Sequence, residues 1–271
     1  MIVSASYRTD IPAFFAPWFE DRWRAGYALV PNPYNRKLHR VGLNPEETDA
    51  MVFWTRWLAP FFGCLDRVFG DGVPFVIQYT ATGLGEEIEP GVPDWRRAVE
   101  TMHRAADRYG AGRVVWRFDP IVLREGEDWQ DTALRFAAIA EAARGAADEA
   151  IVSFTQFYAK TRRALDALAA AGGSRIADPS ADTKRRILEA LAEIARRNGM
   201  TLGVCGQPDI AMGVPGVVEA ACIDADRLSR VADRQIPARN KPHRNACRCA
   251  ESRDIGSFAT CRFGCRYCYA A

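Results

Sequence analysis

The feature that most constrains this chain is a recurrence. Short, continuous apolar runs alternate with amphipathic stretches. AMVFWT at residues 50–55, PFVIQYT at 74–80, RVVWRF at 113–118 and EAIVSF at 149–154 are rich in β-branched and aromatic side chains. Residues 1–6 (MIVSAS), 27–31 (YALVP), 200–205 (MTLGVC) and 217–222 (VVEAAC) extend the series to eight. Runs without polar alternation read as strands buried on both faces, which is what a parallel sheet requires. Helices are expected over residues 14–23, 60–69, 95–109, 129–144, 160–171 and 182–198. Asp94 is the cap of the third helix, and Asn198-Gly199 closes the last. Asp119-Pro120 is expected to stop its strand. A strand–helix repeat of this count in 271 residues predicts an α/β fold: a (β/α) TIM-like barrel, whole or partial. A doubly wound open sheet is the second choice. The barrel-like domain is predicted to span residues 1–235, and the Pro/Arg/Asn-rich stretch 236–245 leads into a cysteine-rich tail, 236–271.

Charge and hydropathy exclude several classes. The 36 basic and 34 acidic residues leave a net charge of +2, so no global field attracts nucleic acid or membrane. No apolar run reaches membrane-spanning length, and MIVSASYRTD lacks the pattern of a signal peptide. A cytoplasmic protein is the expectation, with the eight cysteines as ligands or buried thiols rather than disulfides.

The cysteines are unevenly spread, and five fall within residues 247–268. Cys261, Cys265 and Cys268 stand at the spacing C-x3-C-x2-C, with Tyr267 before the third. Three thiolates so close suit one soft metal centre and leave one position open. An iron–sulfur cluster held at three irons has a free iron for a small ligand. The alternative is zinc, which takes four ligands and would recruit Cys247 or Cys249. Cys205, Cys222, Cys247 and Cys249 are enough for a second [4Fe-4S] cluster or a structural zinc; the plainer reading makes Cys205 and Cys222 small core residues. Cys64 is read as core, His103 as structural, and His243 as a weak candidate ligand.

In α/β barrels the chemistry lies at the carboxyl ends of the strands. Polar and aromatic groups follow several strands here: Arg8 and Asp10; Asn32 and Asn35; Trp54, Thr55 and Arg56; Gln78, Tyr79 and Thr80; Arg117 and Asp119; Ser153, Gln156 and Tyr158; Gln207 and Asp209. Polar residues follow strands in any protein, so each has a plain surface reading. As a set they predict one rim. Arg8, Asp10, Arg117 and Asp119 are the candidates for catalysis. Asn32, Thr55, Gln78, Thr80, Ser153 and Tyr267 are the candidates for cofactor contact. None of G-x-S-x-G, the phosphate loop, G-x-G-x-x-G or H-E-x-x-H occurs.

The triplet, with Tyr267 and Tyr269 around its last cysteine, resembles the cluster loop of radical S-adenosylmethionine enzymes, and C-R-Y-C-Y is nearest to the spore-photoproduct-lyase-like branch. Residues 88–93 and 116–121 look like that branch too. The resemblance implies a [4Fe-4S] cluster on Cys261, Cys265 and Cys268. It also implies S-adenosylmethionine on the open iron, an electron donor such as flavodoxin or ferredoxin, and radical chemistry on a small-molecule or nucleotide-like substrate. The whole chain further resembles a bacterial family of unknown function, through S-A-S-x-R-T-D-I-P-A-F (residues 4–14), N-P-[FY]-N (32–35), V-F-W-T (52–55), W-R-[FY]-D-P-I (116–121), C-x-C (247–249), D-I-G (254–256) and the triplet. One departure carries a prediction. In ordinary members of the superfamily the triplet follows the first strand, whereas here it ends the chain. The order would be circularly permuted, and the tail must fold back beside residues 4–10.

The competing reading is a cluster or zinc protein without radical chemistry, acting in electron transfer, redox sensing or nucleic-acid binding. Its basic tail (Arg227, Arg230, Arg234, Arg239, Lys241, Arg244, Arg248, Arg253, Arg262, Arg266) is equally a solvated linker. A monomer without membrane contact is expected.

Overall fold

The computed structural model describes residues 1–32, 35, 37–241 and 246–270. Eight strands form one sheet: β1 (Ile2–Ala5), β2 (Ala50–Thr55), β3 (Phe75–Thr80), β4 (Val114–Ile121), β5 (Glu149–Phe154), β6 (Thr201–Cys205), β7 (Val217–Ala220) and β8 (Ser252–Asp254). Every pairing is parallel, and the order across the sheet is β7-β6-β5-β4-β3-β2-β1-β8. Strands β1 to β7 follow chain order without the reversal of a doubly wound sheet. The eighth lies on the far side of β1. Among the described residues β7 and β8 are the two ends of the sheet and no pairing joins them, so a closed barrel is not formed.

Alternation along the strands gives the sheet two faces. Val3, Met51, Phe53, Phe75, Ile77, Tyr79, Val114, Trp116, Phe118, Val152 and Val204 pack into the main core with residues of the helices. Those helices include Trp95–Tyr109, Trp129–Ala142 and Ala181–Arg197, close to the predicted spans. Asp94 and Asp128 cap the first two by accepting amides of the first turn, and Ser180 caps the third. The opposite face carries Ile2, Val52, Val76, Val115 and Ile151 under Leu228 and Ile236, with helix Ala225–Ala232 packed there. Nearer the strand ends the same face turns polar.

Three expectations fail for identifiable reasons. The run YALVP is a strand, Tyr27–Pro31, but it pairs antiparallel with Leu38–Gly42 in a separate hairpin. Its place in the eight-stranded sheet is taken by Ser252–Asp254, a polar tripeptide of the tail that reads as no strand in sequence. Asp119-Pro120 does not stop β4. The strand runs to Ile121, and the missing proline amide falls where the register with β5 shifts, between Phe118 and Ile121.

Candidate metal centre at the strand ends

Asp254, the last residue of β8, aligns with Ser4 of β1. Its buried carboxylate accepts the Ser4 hydroxyl at 3.1 Å, the Ser6 hydroxyl at 2.7 Å and the Tyr7 and Gly256 amides at 3.0 and 2.9 Å. The Arg8 Nε lies 3.7 Å away. These bonds deliver the residues after β8 onto the turn that follows β1. There Thr260 donates to the Thr9 hydroxyl, the Tyr269 hydroxyl donates to the Tyr7 carbonyl, and the Phe263 ring packs at a tilt against Phe14, 4.6 Å between centroids. The tail therefore folds back beside residues 4–10, as the permuted order requires.

Beyond β1 the cysteine loop reaches across the strand ends. The Arg266 amide donates to the Ile88 carbonyl, and the Gly91 amide to the Phe263 carbonyl. On the far side the Thr161 hydroxyl donates to the Tyr267 carbonyl at 3.1 Å. The fixed point is Tyr267. Its hydroxyl donates to Glu89 and accepts from Arg56, whose guanidinium pairs with Glu89 at 2.9 Å. Thr82 donates to both Glu89 oxygens. Arg56 and Glu89 are almost wholly buried. Burial alone would lower the pKa of Arg56; the charges of Glu89, Tyr267, Cys265 and Asp10 outweigh it and hold the guanidinium protonated. Glu89 falls in the segment 88–93 that carries the branch resemblance, but it is not among the candidate site residues of the sequence.

Asp10 anchors the first layer beneath the loop. Its carboxylate accepts the Ala13 amide, the Thr55 hydroxyl and the Arg56 amide, and burial pushes its pKa up to about 6. Cys261 accepts hydrogen bonds from the amides of Phe263 and Asp10, and Cys268 one from Ala270 at 3.4 Å. Burial raises the Cys261 thiol, and pushes Cys265 up to about 11 against the pull of Arg56.

The polar face of the sheet lies alongside. Arg117 is 5% exposed. It pairs with Asp119, which also accepts the Ser153 hydroxyl, and it donates to Gln78 Oε1 at 3.2 Å and to Cys222 Sγ at 2.9 Å. Its guanidinium faces the Trp54 ring, whose indole N–H donates to Ser4. Gln78 in turn donates to the Cys222 carbonyl. Of the predicted rim, Asp10, Thr55, Arg56 and Tyr267 are joined in one set of contacts, and Trp54, Gln78, Arg117, Asp119 and Ser153 in a second, to which Arg8 is tied through Asp254 and Ser4. Thr80 lines a cavity of about 270 Å³ shared with Thr82, Glu89 and Trp95. Tyr79 points into the core, and Gln207 clamps the Phe154 backbone through both ends of its amide. Asn32 and Asn35 sit in the turn of the separate hairpin, where each carbonyl accepts a neighbouring amide. His103 bonds the Ala142 carbonyl, Cys64 is buried on its helix, and His243 and Arg244 lie outside the described residues.

The other cysteines also come together. Cys205 and Cys222 are 3.1 Å apart at sulfur; Cys222 contacts Cys249, and Cys249 contacts Cys247. None of the eight cysteines is paired in a disulfide. Among the described residues, no three His, Cys, Asp or Glu side chains are gathered as the ligands of a single ion. The donor chemistry nonetheless suits a soft centre. Cysteine sulfurs come in groups of three and four, several receive backbone N–H bonds that favour the thiolate, and a cation stands beside each group.

The chain belongs to the family described as Domain of unknown function (DUF1848), whose model matches residues 2–270. No curated protein matches it. Among the described residues no helix is long and apolar enough to cross a membrane.

Proposed function

We propose that this chain is an iron–sulfur enzyme of the radical S-adenosylmethionine type, with a [4Fe-4S] cluster on Cys261, Cys265 and Cys268. One observation carries the reading: the C-terminal triplet lies beside β1, latched to it by Asp254, although it is some 250 residues away in sequence. That is the position a loop after the first strand would hold. The strand order supports a barrel-type reading of the sheet, with chain-order neighbours from β1 to β7 and the last strand next to the first.

Bound there, the cluster would supply an electron to a sulfonium ligand on its open iron. The chain's own residues have separable tasks. Phe263, Asp10 and Ala270 offer amide hydrogens to the cysteine sulfurs, which favours the thiolate and orients it. Arg56 puts a buried positive charge near Cys265, which eases addition of an electron to a centre of net negative charge. Tyr267 and Thr161 hold the loop across the strand ends, and the loop with Phe263 on Phe14 limits access of water. Asp119 and Ser153, held in place by the buried Arg117, form a polar patch that suits a hydroxylated substrate.

The test is anaerobic purification, followed by iron and sulfide analysis, electron paramagnetic resonance of the reduced protein, and assay of S-adenosylmethionine cleavage. A loss of about four irons per chain in C261A/C265A/C268A, a signal altered by S-adenosylmethionine, and reductant-dependent cleavage are expected. Zinc alone at the triplet overturns the proposal.

A further inference from the structure

The open seam of the sheet is where the remaining cysteines meet. Cys205 ends β6 and Cys222 lies two residues past β7, so both belong to one end of the sheet. Cys247 and Cys249 lie just before β8, which forms the other end. No strand pairing crosses between β7 and β8 among the described residues, yet the thiols do, through the contact of Cys222 with Cys249. The backbone is arranged around that contact. The Ile223 amide donates to Cys249 Sγ at 3.4 Å, the Cys249 amide to Cys247 Sγ at 3.5 Å, and the Ala250 amide to the Ile223 carbonyl at 2.9 Å. Arg117 adds a buried guanidinium donating to Cys222 Sγ at 2.9 Å.

We propose that Cys205, Cys222, Cys247 and Cys249, which stand in a chain of pairwise contacts rather than around one point, turn inward to form a second centre, a four-thiolate site for a thiophilic metal that ties the two ends of the sheet together. Four thiols strung in contact are a poor use of this space if they only pack. Two of the four come from a tail that otherwise adds three strand residues to the sheet. Four thiolates around a divalent metal, or around an iron–sulfur cube, leave a net negative charge. Arg117 is the cation that offsets it, and its N–H, like that of Ile223, still reaches sulfur once the thiol proton has left. Each thiol releases its proton to solvent as its sulfur takes the metal, so uptake weakens as pH falls. Cys247 is half-buried and gives the metal a way in, whereas Cys205, Cys222 and Cys249 are buried. Zinc and a cluster share this donor set, and metal analysis separates them.

This site is independent of the triplet, and the experiment keeps the two apart. Full-length C261A/C265A/C268A is purified anaerobically and supplied with zinc, or with iron and sulfide. One centre per chain is expected to remain: one zinc, or iron with matching sulfide. Adding C247A/C249A to that background removes it. Because the added variant can fail to fold, a second measurement uses the triplet variant alone. Stripping its metal with a chelator lowers its melting temperature by roughly 5 °C or more, and metal restores it. A triplet variant with native circular dichroism and no bound zinc or iron overturns the proposal, as does metal retained after C247A/C249A. If wild type and triplet variant hold the same metal, the triplet reading fails and the seam site stands.

Discussion

Asp254 Oδ1 accepts the Ser6 hydroxyl at 2.7 Å, which ties the last strand of the sheet to the end of the first. The same carboxylate satisfies the Ser4 hydroxyl and the amides of Tyr7 and Gly256, in a site from which water is nearly excluded. It is the anchor on the β1 side of the cysteine loop, whose far side is held by Tyr267.

Asp254→Ala leaves those donors buried without an acceptor. Leaving buried donors unmade costs about 1–3 kcal/mol apiece before relaxation, so a loss of roughly 3 kcal/mol or more is expected in urea unfolding. Asp254→Asn keeps one acceptor oxygen and loses less. With the proposed cluster on the triplet, iron retention is expected to follow the same order. Wild-type stability in the alanine variant would refute the latch.

Asp10 gives the protein a pH dependence of defined sign. Burial raises its pKa from 3.8 to about 6 in the folded chain. Between those values the folded state holds a proton that the unfolded state has released, so stability falls as pH rises through the window and levels off above it. The span corresponds to about 3 kcal/mol. Urea unfolding of the metal-free protein from pH 4 to pH 7 measures it. Asp10→Asn is less stable at every pH, because Ala13, Thr55 and Arg56 all donate to this carboxylate, but its profile lacks this slope. Parallel wild-type and variant profiles would show that Asp10 does not titrate there.

Much of this was legible in the residues, and the failures have physical causes. Ala50–Thr55, Glu149–Phe154 and Trp95–Tyr109 match their expected bounds because long apolar runs and an Asp cap act locally. Tyr27–Pro31 misled because its apolar composition hides an alternating burial, buried at Ala28 and Val30 and exposed at Leu29 and Pro31, which belongs to a hairpin. Ser252–Asp254 carries no apolar signal, since it is recruited by the free edge of β1 and the acceptors of Asp254. The triplet stood out by its C-x3-C-x2-C spacing, whereas no spacing marks Cys205 and Cys222, which meet Cys249 only in the fold. The Arg56–Glu89–Tyr267 contact was not, because it joins three distant segments and only folding makes Glu89 differ from its acidic neighbours.

That contact predicts unequal costs for its members. Tyr267→Phe removes a hydroxyl and leaves the Arg56–Glu89 pair, so it costs about 1 kcal/mol. Glu89→Ala strands a buried guanidinium and costs about 3–5 kcal/mol. In the double variant the two effects do not add, since Tyr267 has lost its acceptor already. A double-mutant cycle by chemical denaturation reads this. Strict additivity would mean that the hydroxyl is not engaged by Glu89.

Gly91 tests whether the cysteine loop can be loosened without touching a cysteine. Its amide donates to the Phe263 carbonyl at 3.0 Å, and a Cβ built on it would stand 2.8 Å from that oxygen and 3.1 Å from Phe263 Cα. Both obstacles are backbone, so Gly91→Ala must push the loop away; overpacking of this kind costs about 1–3 kcal/mol. Gly91 itself is exposed and its segment is a turn, so the body of the sheet is not strained. The expected result is faster amide exchange across residues 261–268 and reduced iron per chain, with far-UV circular dichroism as in wild type. Iron content and exchange equal to wild type would show that the loop's position does not depend on its contact with Gly91.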